Sequence, residues 1–430
     1  MRRSKLDGQD FDVIVCGGGS AGMAAAYAAA QAGARTVLLE KLGFCGGTPV
    51  AAMIHTLDAV LSCEDTSQIV VGGYARDFVA EVTAMGGEAT KDNPEEALSL
   101  HPEFMKIAAD RLLARAGVRT LYHATVIDVL MQGNALTGVE AALRDGRAQF
   151  SAGCVVDGTG DAEIAHFAGV KWTLDEELQA LTYHFRLGNV AAGVTWKDLE
   201  DGCREAMRQA DERGNCLQYG GPWVIRLTDQ EVSINATRVV GNPIDPEDLT
   251  AAEQQARESM LAIWKILRAG VPALRESYIL SGATELHVRE SRKILGEYVL
   301  TEEDIHARRK FDDVIALGAW PIDIHPTDGF VGVHPHKDDP PQPYEIPYRC
   351  LVPLDVDQLL VAGRPISTTH RAHGSTRVPG TSMATGQAAG VAAALSVRSS
   401  VSARRLDART LQRELLRQGA ILSLEQVVSR

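Results

Sequence analysis

An acid and a histidine stand two positions apart in the segment WPIDIH, as Asp323 and His325. This alternation is typical of an extended strand, in which both side chains point to the same face. A carboxylate that orients an imidazole suits general-base chemistry. The same pair also suits a structural role, as two polar side chains that satisfy each other in the core. The sequence therefore predicts a candidate proton acceptor and leaves both interpretations open.

A second candidate cluster is the run Arg289-Glu290-Ser291-Arg292, with two arginines three positions apart. That spacing would place both guanidinium groups on one face of a helix, and Arg289 is the candidate for an active-site cation. Around an acid, the arginines can equally form a buried ion network. His55 and His184 are further candidates for the site.

The composition excludes several classes of protein. The chain has 430 residues and is 45% hydrophobic, which is enough for a sizeable core and two domains. A formal net charge of −13 argues against a nucleic-acid partner. The seven cysteines include no C-x-x-C pair, so we expect no metal site and a reducing, cytoplasmic compartment. The apolar segment 380–397 is interrupted by polar residues and predicts a buried helix, not a membrane span.

The elements that would position these residues begin with a glycine cluster. A short apolar strand, FDVIVC, is followed by Gly17-x-Gly19-x-x-Gly22 and an Ala-rich helix, and a second strand ends in Glu40. In such a turn the first glycine permits the bend, the second admits a pyrophosphate, and the third permits close helix packing. The helix that begins with Ser20 and Ala21 would point its free N–H groups at the phosphates. The alternative is a glycine-rich turn in another α/β fold.

Glu40 bears on which dinucleotide would bind. It stands eighteen positions after Gly22, where a carboxylate can accept hydrogen bonds from a ribose diol. An acid at this point argues against the 2′-phosphate of NADP but does not separate NAD from FAD. No second strand–GxGxxG–helix unit is visible in the sequence, so we expect no separate nicotinamide-binding domain.

The rest of the chain shows three regions. Helical spacing predicts helices over 74–84 and 102–116, and turn signals predict a three-stranded meander over 126–156. The middle region alternates predicted strands at 223–228 and 231–235 with a helix over 246–269. A capping box predicts a helix start at Thr301. The Pro-rich stretch 333–347 is expected to be an exposed loop in which His334 and His336 bind no metal, and a buried strand is predicted at 359–362.

The residues after Glu40 carry a family resemblance. The run Glu40-Lys41-Leu42-Gly43-Phe44-Cys45-Gly46-Gly47-Thr48 resembles FAD-binding flavoproteins with two dinucleotide-binding domains, in which a glycine doublet passes close to the FAD pyrophosphate. The resemblance implies that FAD is the cofactor and that Val126 lies near the adenine. Further cofactor-binding candidates lie at the turns Gly160-Asp161 and Gly363-Arg364.

The segment from His373 to Met383 is similar to fumarate reductase and succinate dehydrogenase flavoproteins, which read His-Gly-Ala-Asn-Arg-Leu-Gly-Gly-Asn-Ser-Leu. The matching positions are His373, Gly374, Arg377, Gly380 and Ser382. The resemblance implies that Arg377 and His373 face the substrate, and His370 is a further candidate. An arginine can hold a carboxylate, and a histidine can hold a carbonyl or move a proton. The structural alternative for Arg377 is a salt bridge that closes a domain interface.

The same resemblance concerns the flavin itself. A helix that begins near Thr381 and includes Ser382 and Met383 would direct its positive end at the negative charge of a reduced flavin. No histidine precedes Gly46-Gly47 to form a covalent flavin link. Cys45 is a possible thioether position, but we expect it to be a small packing residue and FAD to bind non-covalently.

Taken together, the chain is similar to the broad bacterial family of FAD-dependent oxidoreductases over most of residues 10–397. We expect an α/β fold in which a Rossmann-like FAD-binding domain, a parallel sheet plus a meander, is formed by 10–170 and 354–400. An α+β substrate domain would span 171–353, and a helical tail 401–430.

The expected activity is hydride transfer between flavin N5 and a small organic substrate that bears a carboxylate or carbonyl. A flavin monooxygenase or oxidase is one alternative, and an electron-transfer subunit of a complex is another. The electron partner, any homo-oligomer and the substrate are left open by the sequence. Resemblance of fold does not by itself fix the reaction.

Overall fold

The structure is a computed structural model that describes residues 2–63, 65–89, 98–325 and 343–429. The predicted exposed loop with His334 and His336 lies mostly outside the described residues, and both histidines lie outside them.

Two helices of the described chain begin and end at the residues that the sequence periodicity predicts, over 74–84 and 102–116. The α-helices are α1 (Ser20–Gln31), α2 (Thr48–Ala51), α3 (Tyr74–Ala84), α4 (Pro102–Ala116), α5 (Glu163–Phe167), α6 (Trp196–Glu212), α7 (Pro246–Gly270), α8 (Glu302–Ala307), α9 (His370–Thr376), α10 (Pro379–Ser399) and α11 (Ala408–Arg417).

The strands include the two predicted around the glycine turn. They are β1 (Gln9–Cys16), β2 (Thr36–Glu40), β3 (Gln68–Ile69), β4 (Arg119–Tyr122), β5 (Thr125–Gln132), β6 (Ala135–Leu143), β7 (Gly146–Asp157), β8 (Trp172–Thr173), β9 (Phe185–Gly188), β10 (Tyr219–Thr228), β11 (Glu231–Thr237), β12 (Tyr278–Gly282), β13 (Lys293–Ile294), β14 (Val314–Gly318), β15 (Tyr344–Pro347), β16 (Leu359–Val361) and β17 (Val428–Ser429).

The central sheet has seven strands in the order β4-β2-β1-β7-β6-β5, with β16 paired to β7. Strands β4, β2, β1, β7 and β16 run parallel to one another, whereas β5, β6 and β7 form the predicted antiparallel meander. Strand β2 is buried along its whole length, as expected for a strand covered on both faces. The α/β fold class with a Rossmann-like parallel sheet and a meander is thus confirmed.

A second sheet lies in the middle of the chain. Its four strands run antiparallel in the order β10-β11-β9-β12, and the long helices α6 and α7 pack on it. The predicted domain boundaries at 170, 353 and 400 stay a prediction. The helical expectation for the C-terminal tail holds for α11, but β17 at its end pairs with β3 instead of continuing a helix.

Helices α1 and α10 pack against each other at very short range. A Cβ added to Gly386 would meet the Ala21 carbonyl oxygen at 2.1 Å, and one added to Gly390 would meet the Ala25 oxygen at 2.0 Å. Along α1, Ala24, Ala25 and Ala28 are fully buried. Small residues on both helices therefore let the two backbones nearly touch. Helix α10 begins at Pro379, two residues earlier than the start expected near Thr381.

Two local predictions were wrong. The run Arg289–Arg292 does not lie on a helix but in extended chain before β13, so its arginines share no helical face. The segment WPIDIH is extended chain between β14 and the end of the described range, not a strand. The capping box at Thr301 is confirmed, because its hydroxyl accepts from the Asp304 N–H and the Asp304 carboxylate accepts from the Thr301 N–H.

Within the described residues, no helix combines the length and apolar character needed to cross a membrane. This includes α10, whose buried surface is mostly alanine and glycine.

The contact between α1 and α10 makes a prediction about stability. Gly390→Ala should lower the free energy of unfolding by about 1–3 kcal/mol, because the added methyl group overpacks against backbone that has no room to move. The matched control is Gly202→Ala in the interior of α6, where the nearest atom is Val271 Cγ1 at 3.5 Å. Gly202→Ala should instead raise the free energy of unfolding by roughly 0.5–1 kcal/mol, because alanine has a higher helix propensity than glycine. Denaturant unfolding of both variants measures the two signs, and equal shifts would contradict the close approach.

Candidate active site

One large cavity, with a volume of about 1210 Å³, runs from the glycine turn after β1 to the middle sheet. It exceeds the roughly 300–1,000 Å³ of ordinary small-ligand sites, which leaves room for a dinucleotide and a second molecule. The N-terminal ends of α1 and α10 both open into it, since Ser20 and Ser382 line its wall.

The glycine turn has the three features that a dinucleotide turn needs. Gly17 has φ +92°, and a Cβ there would meet the Gly158 oxygen at 2.6 Å. A Cβ on Gly22 would meet the Gly17 oxygen at 1.8 Å, so α1 packs directly against the turn. A Cβ on Gly19 would have no neighbour closer than 3.7 Å, and Gly19 lines the cavity. The first and third glycines are thus required by the protein, whereas the second leaves space for a ligand.

Glu40 lies at the end of β2 with both carboxylate oxygens anchored. Oε2 accepts from the Gly18 N–H at 2.5 Å and Oε1 from the Leu42 N–H at 2.7 Å. Burial raises the pKa of Glu40, although these two N–H groups oppose the shift. The carboxylate is held in place at the cavity wall, where its remaining lone pairs can accept from a ribose. Lys41, next along the wall, pairs with Glu285 at 3.3 Å.

The glycine doublet closes over the turn. Gly46 donates its N–H to the Gly18 carbonyl at 2.9 Å, and a Cβ on Gly47 would meet Gly19 Cα at 2.6 Å. Cys45 lies behind this contact, buried and outside the cavity lining, with its Sγ where a Cβ on Gly18 would be. This placement agrees with a packing role for Cys45.

Two turns that are far apart in sequence meet at the cavity. Arg364 donates to the Gly160 carbonyl at 2.8 Å and pairs with Asp161 at 2.5 Å. It also donates to the Val288 carbonyl, which ties the turn after β16 to the Arg289 segment.

Most predicted cofactor residues line this one cavity. Those that do are Gly17, Gly19, Ser20, Ala21, Glu40, Lys41, Gly47, Thr48, Val126, Gly160, Asp161, Gly363, Arg364 and Ser382. Gly22, Gly46 and Met383 lie behind the lining.

At the other end of the cavity, Arg289 is buried with 2% of its surface exposed. Its Nη1 donates to the Ala180 carbonyl and to Thr182 Oγ1, both at 2.6 Å, and its Nε has no partner. Arg238 shares Thr182 Oγ1 as an acceptor, at 2.9 Å. Burial and the charges of Arg238 and Arg377 lower the pKa of Arg289. Within the described ranges, neither Arg238 nor Arg289 forms a salt bridge, so neither of these two buried cations is directly paired with a carboxylate, although the charge of Asp323 acts on both.

Arg377, Asp323 and His325 are linked through one carboxylate oxygen. Asp323 Oδ2 lies 3.0 Å from Arg377 Nη2 and 2.9 Å from His325 Nε2. His325 Nδ1 is buried without a partner. Burial, then the charge of Arg289, lowers the pKa of His325 to about 3. With Nε2 protonated towards the carboxylate, Nδ1 of a neutral imidazole is free to accept a proton. The expected pairing of Asp323 with His325 is therefore present, although no strand produces it.

His370 and His373 lie on α9, outside the cavity lining. His373 is fully buried, and its Nε2 lies 3.0 Å from the Arg289 carbonyl oxygen. His370 Nδ1 lies 2.9 Å from Glu290 Oε1. The expectation that His373 faces the substrate is not supported by this placement, which puts it one layer behind Arg289.

An ion network does surround Glu290, but within the described residues neither Arg289 nor Arg292 pairs with this acid, contrary to the expectation from the sequence. Lys293 Nζ lies 2.6 Å from Glu290 and 2.5 Å from Asp175, and the lysine is 1% exposed. Asp175, Glu290 and His370 are the one set of carboxylate and imidazole groups close enough to bind a metal in the described chain, and the Lys293 ammonium already contacts both acids. Arg292 donates to the Asp161 carbonyl at 3.2 Å and so has a supporting role.

Several lining residues were not identified from the sequence. His287, Trp223 and Trp320 belong to the wall, and His55 and His184, named above only as further candidates, line it as well. These residues come from separate loops and strands with no shared spacing. The parallel ends of β1, β7 and β16 could be anticipated from the sequence, but the docking of the middle sheet that brings His184 and Trp223 to the site could not.

The parallel sheet, the glycine turn with its buried acid, and a cavity between two helix ends define an FAD-binding α/β flavoprotein. The chain matches the family described as FAD dependent oxidoreductase over residues 12–415, and it belongs to that family. It is an oxidoreductase whose cofactor is FAD. The resemblance to this family that the sequence showed is confirmed. The likeness of 373–383 to fumarate reductase stays a prediction.

The chain is also 33% identical over 181 residues to a thiamine thiazole synthase from Metallosphaera sedula. That alignment covers 38% of this chain and 61% of the synthase, so the chain matches less than two thirds of that relative.

Among solved structures, the flavin-dependent brominase Bmp2 is 13% identical with a TM-score of 0.51, covering 95% of this chain and 83% of the brominase. A geranylgeranyl bacteriochlorophyll reductase-like protein from Thermoplasma acidophilum is 14% identical with a TM-score of 0.49, covering 97% and 86%. At this identity, the likeness to the brominase shows the fold alone.

The open position at Gly19 makes a prediction about the cofactor. Gly19→Ala should leave the unfolding free energy of the cofactor-free protein within roughly 0.5 kcal/mol, as for a surface change without strain. It should weaken FAD binding by tenfold or more, about 1.4 kcal/mol, because the methyl group enters the space that a pyrophosphate needs. Flavin fluorescence titration measures the affinity. Gly22→Ala is the contrast, since its Cβ meets backbone at 1.8 Å and should destabilise the fold itself. Unchanged FAD affinity in Gly19→Ala would contradict the assignment.

The pKa values of the buried histidines predict how the stability of the protein depends on pH. Burial lowers the pKa of His55, His325 and His373 to about 3, against 6.5 for a free histidine. Between these pH values each histidine takes up a proton when the protein unfolds. The contribution of these three histidines to stability is therefore fully present above pH 6.5 and is lost as the pH falls towards 3. Each contributes up to about 1.4 kcal/mol per pH unit. His370 acts in the opposite sense, because its bond to Glu290 raises its pKa.

Urea unfolding of the cofactor-free protein at several pH values below 6.5 measures this slope. His55→Gln should reduce it by about one proton. A slope that is unchanged in this variant would show that His55 titrates normally.

Proposed function

We propose that the protein is an FAD-dependent dehydrogenase or reductase that acts on a small organic acid. The observation that carries the proposal is Arg289, a buried cation that lines the cavity with no carboxylate partner among the described residues. FAD supplies the acceptor or donor of a hydride. The remaining steps are assigned to side chains of this chain.

The charges at this end of the cavity favour an anionic ligand. Arg238, Arg289 and Arg377 contribute three positive charges around Asp323, whose carboxylate is bonded to Arg377. An unpaired buried charge costs several kcal/mol, and a carboxylate in the cavity would offset that cost. Arg289 Nε and Arg377 Nε are both buried without a hydrogen-bond partner, so each has a donor left for such a group.

His325 is proposed as the group that accepts the substrate proton. Asp323 fixes the imidazole through Nε2 and Arg377 fixes Asp323, so Nδ1 keeps one orientation. In the oxidation direction, a proton leaves an O–H or N–H of the substrate for Nδ1, while the hydride leaves the adjoining carbon. In the reduction direction the same nitrogen returns the proton. His373, which contacts the Arg289 carbonyl, is proposed as a positioning residue for Arg289.

The cofactor would be held at the other end. The N–H groups of the first turn of α1, beginning at Ser20, would hold the pyrophosphate beside Gly19, and Glu40 would hold a ribose. Binding is proposed to be non-covalent, since the Cys45 thiol is buried behind Gly18 and burial raises its pKa, which disfavours the nucleophilic thiolate. Flavin that stays in the pellet after acid precipitation would contradict this.

The proposal predicts that Arg289 selects carboxylates. A panel of hydroxy and amino acids, each with its methyl ester, is tested for anaerobic bleaching of the oxidised flavin. Arg289→Gln should lower kcat/KM for the acid by about 10- to 100-fold, since a hydrogen bond to a charged group contributes about 1.5–3 kcal/mol. It should leave the ester much less affected. Arg289→Lys keeps the charge and should recover part of the loss.

Arg111→Gln is the matched control, because Arg111 is exposed on α4 and does not line the cavity, and this variant should retain full activity. A wild-type enzyme that prefers the esters would overturn the proposal. Oxygen uptake during turnover would assign the reaction to the oxidase or monooxygenase alternative.

A further inference from the structure

Three buried imidazoles form a second polar group in the same cavity, separate from the Arg377–Asp323–His325 group. His55, His184 and His287 are 2%, 3% and 7% exposed, and all three line the wall. Four of their ring nitrogens are buried without a hydrogen-bond partner: both of His55, Nε2 of His184 and Nδ1 of His287. Neither the cofactor nor the proton transfer proposed above uses them.

These histidines come from three different segments, each of which is anchored by a backbone hydrogen bond. His55 follows α2, and its carbonyl accepts from the Leu100 N–H at 2.9 Å. His184 precedes β9, and its carbonyl accepts from the Ala283 N–H at 3.0 Å. The His287 N–H donates to the Thr182 carbonyl at 2.8 Å, and the rings of His184 and His287 meet edge to face with centroids 6.2 Å apart. The imidazoles are therefore fixed by the backbone and not by side-chain partners.

Unpartnered polar atoms in a buried position are costly. Each destabilises the folded protein unless something in the cavity binds it. The three rings are neutral, because burial lowers the pKa of His55 to about 3 and shifts those of His184 and His287 well below the usual range. Arg289 acts in the same direction on His184 and His287. Their ligand nitrogens do not form a set close enough to bind a metal in the described chain.

The hydrogen-bonding atoms of a neutral imidazole determine which ligand groups it can bind. In either tautomer, His55 carries one N–H donor and one acceptor nitrogen. The Pro49 carbonyl lies near its ring, though outside hydrogen-bonding geometry, and a carbonyl can only accept. The acceptor nitrogen therefore needs a donor from the cavity in every case. A carboxylate offers no donor, whereas a hydroxyl or a primary amide both donates and accepts.

We infer that His55, His184 and His287 form a subsite for a second, neutral group of the substrate, a hydroxyl or a primary amide. The inference rests on the proposed function, in which the carboxylate of the same substrate pairs with Arg289. The substrate class is then a small acid with a hydroxyl or amide at its far end, not a dicarboxylic acid.

The test uses 2-hydroxy acids that share one carbon chain and end in a methyl, hydroxymethyl, primary amide or carboxylate group. Binding to the FAD-loaded protein is read by thermal shift and by anaerobic change of the flavin spectrum. The amide or hydroxymethyl acid should bind about tenfold more tightly than the methyl acid, as expected for one or two hydrogen bonds. His55→Phe should bring the ratio of these two affinities close to one. His55→Gln keeps a donor and an acceptor and should retain part of the preference.

His306→Phe is the matched control, since His306 is exposed on α8, and it should leave the ratio unchanged. A preference for the far-end carboxylate, or a ratio that His55→Phe does not alter, would overturn the subsite. If far-end amides bind equally well without any carboxylate, the Arg289 assignment fails and the subsite stands. If no acid or amide binds, both fail.

Discussion

The close approach of α1 and α10 is the constraint on which the site depends. Gly386 and Gly390 bring the α10 backbone against the carbonyls of Ala21 and Ala25, and no larger residue fits at those two positions. The two helices run side by side in the same direction, since Gly386 faces Ala21 and Gly390 faces Ala25, and so their N-terminal ends reach the same cavity. Two positive helix ends in one cavity suit a ligand with negative charge at more than one point. The small residues of both helices thus allow close packing. This packing in turn places the two helix N-terminal ends at the cofactor cavity.

The opposite end of the cavity is organised by charge. Arg238 and Arg289 share the hydroxyl of Thr182, and Asp323 is bonded to Arg377 and His325 at once. Burying these charged groups lowers the stability of the folded protein, since hydrophobic residues of similar size would pack without a desolvation penalty. The anionic substrate proposed above would supply the missing negative charge.

The sequence predicted the cofactor half better than the substrate half, for a physical reason. The turn at Gly17, Gly19 and Gly22 and the acid at Glu40 are local, because one strand–helix–strand unit fixes their relative positions. Arg289 and Asp323 were identified by residue type, but the helix and strand expected for them are absent. Tertiary contacts place them instead, and sequence spacing carries no signal for those. His287 and Trp223 were missed because the docking of the middle sheet brings them to the wall.

The pairing of β16 with β7 also has a consequence for how the protein is made. The chain leaves the central sheet at Asp157 and returns only at Leu359, after the whole middle region. A chain still on the ribosome thus carries the complete glycine turn before it has Arg364 or α10. Contacts between such distant segments form late, because a long loop must close first. The nascent chain therefore has only part of the cofactor-binding cavity until its C-terminal region has been made.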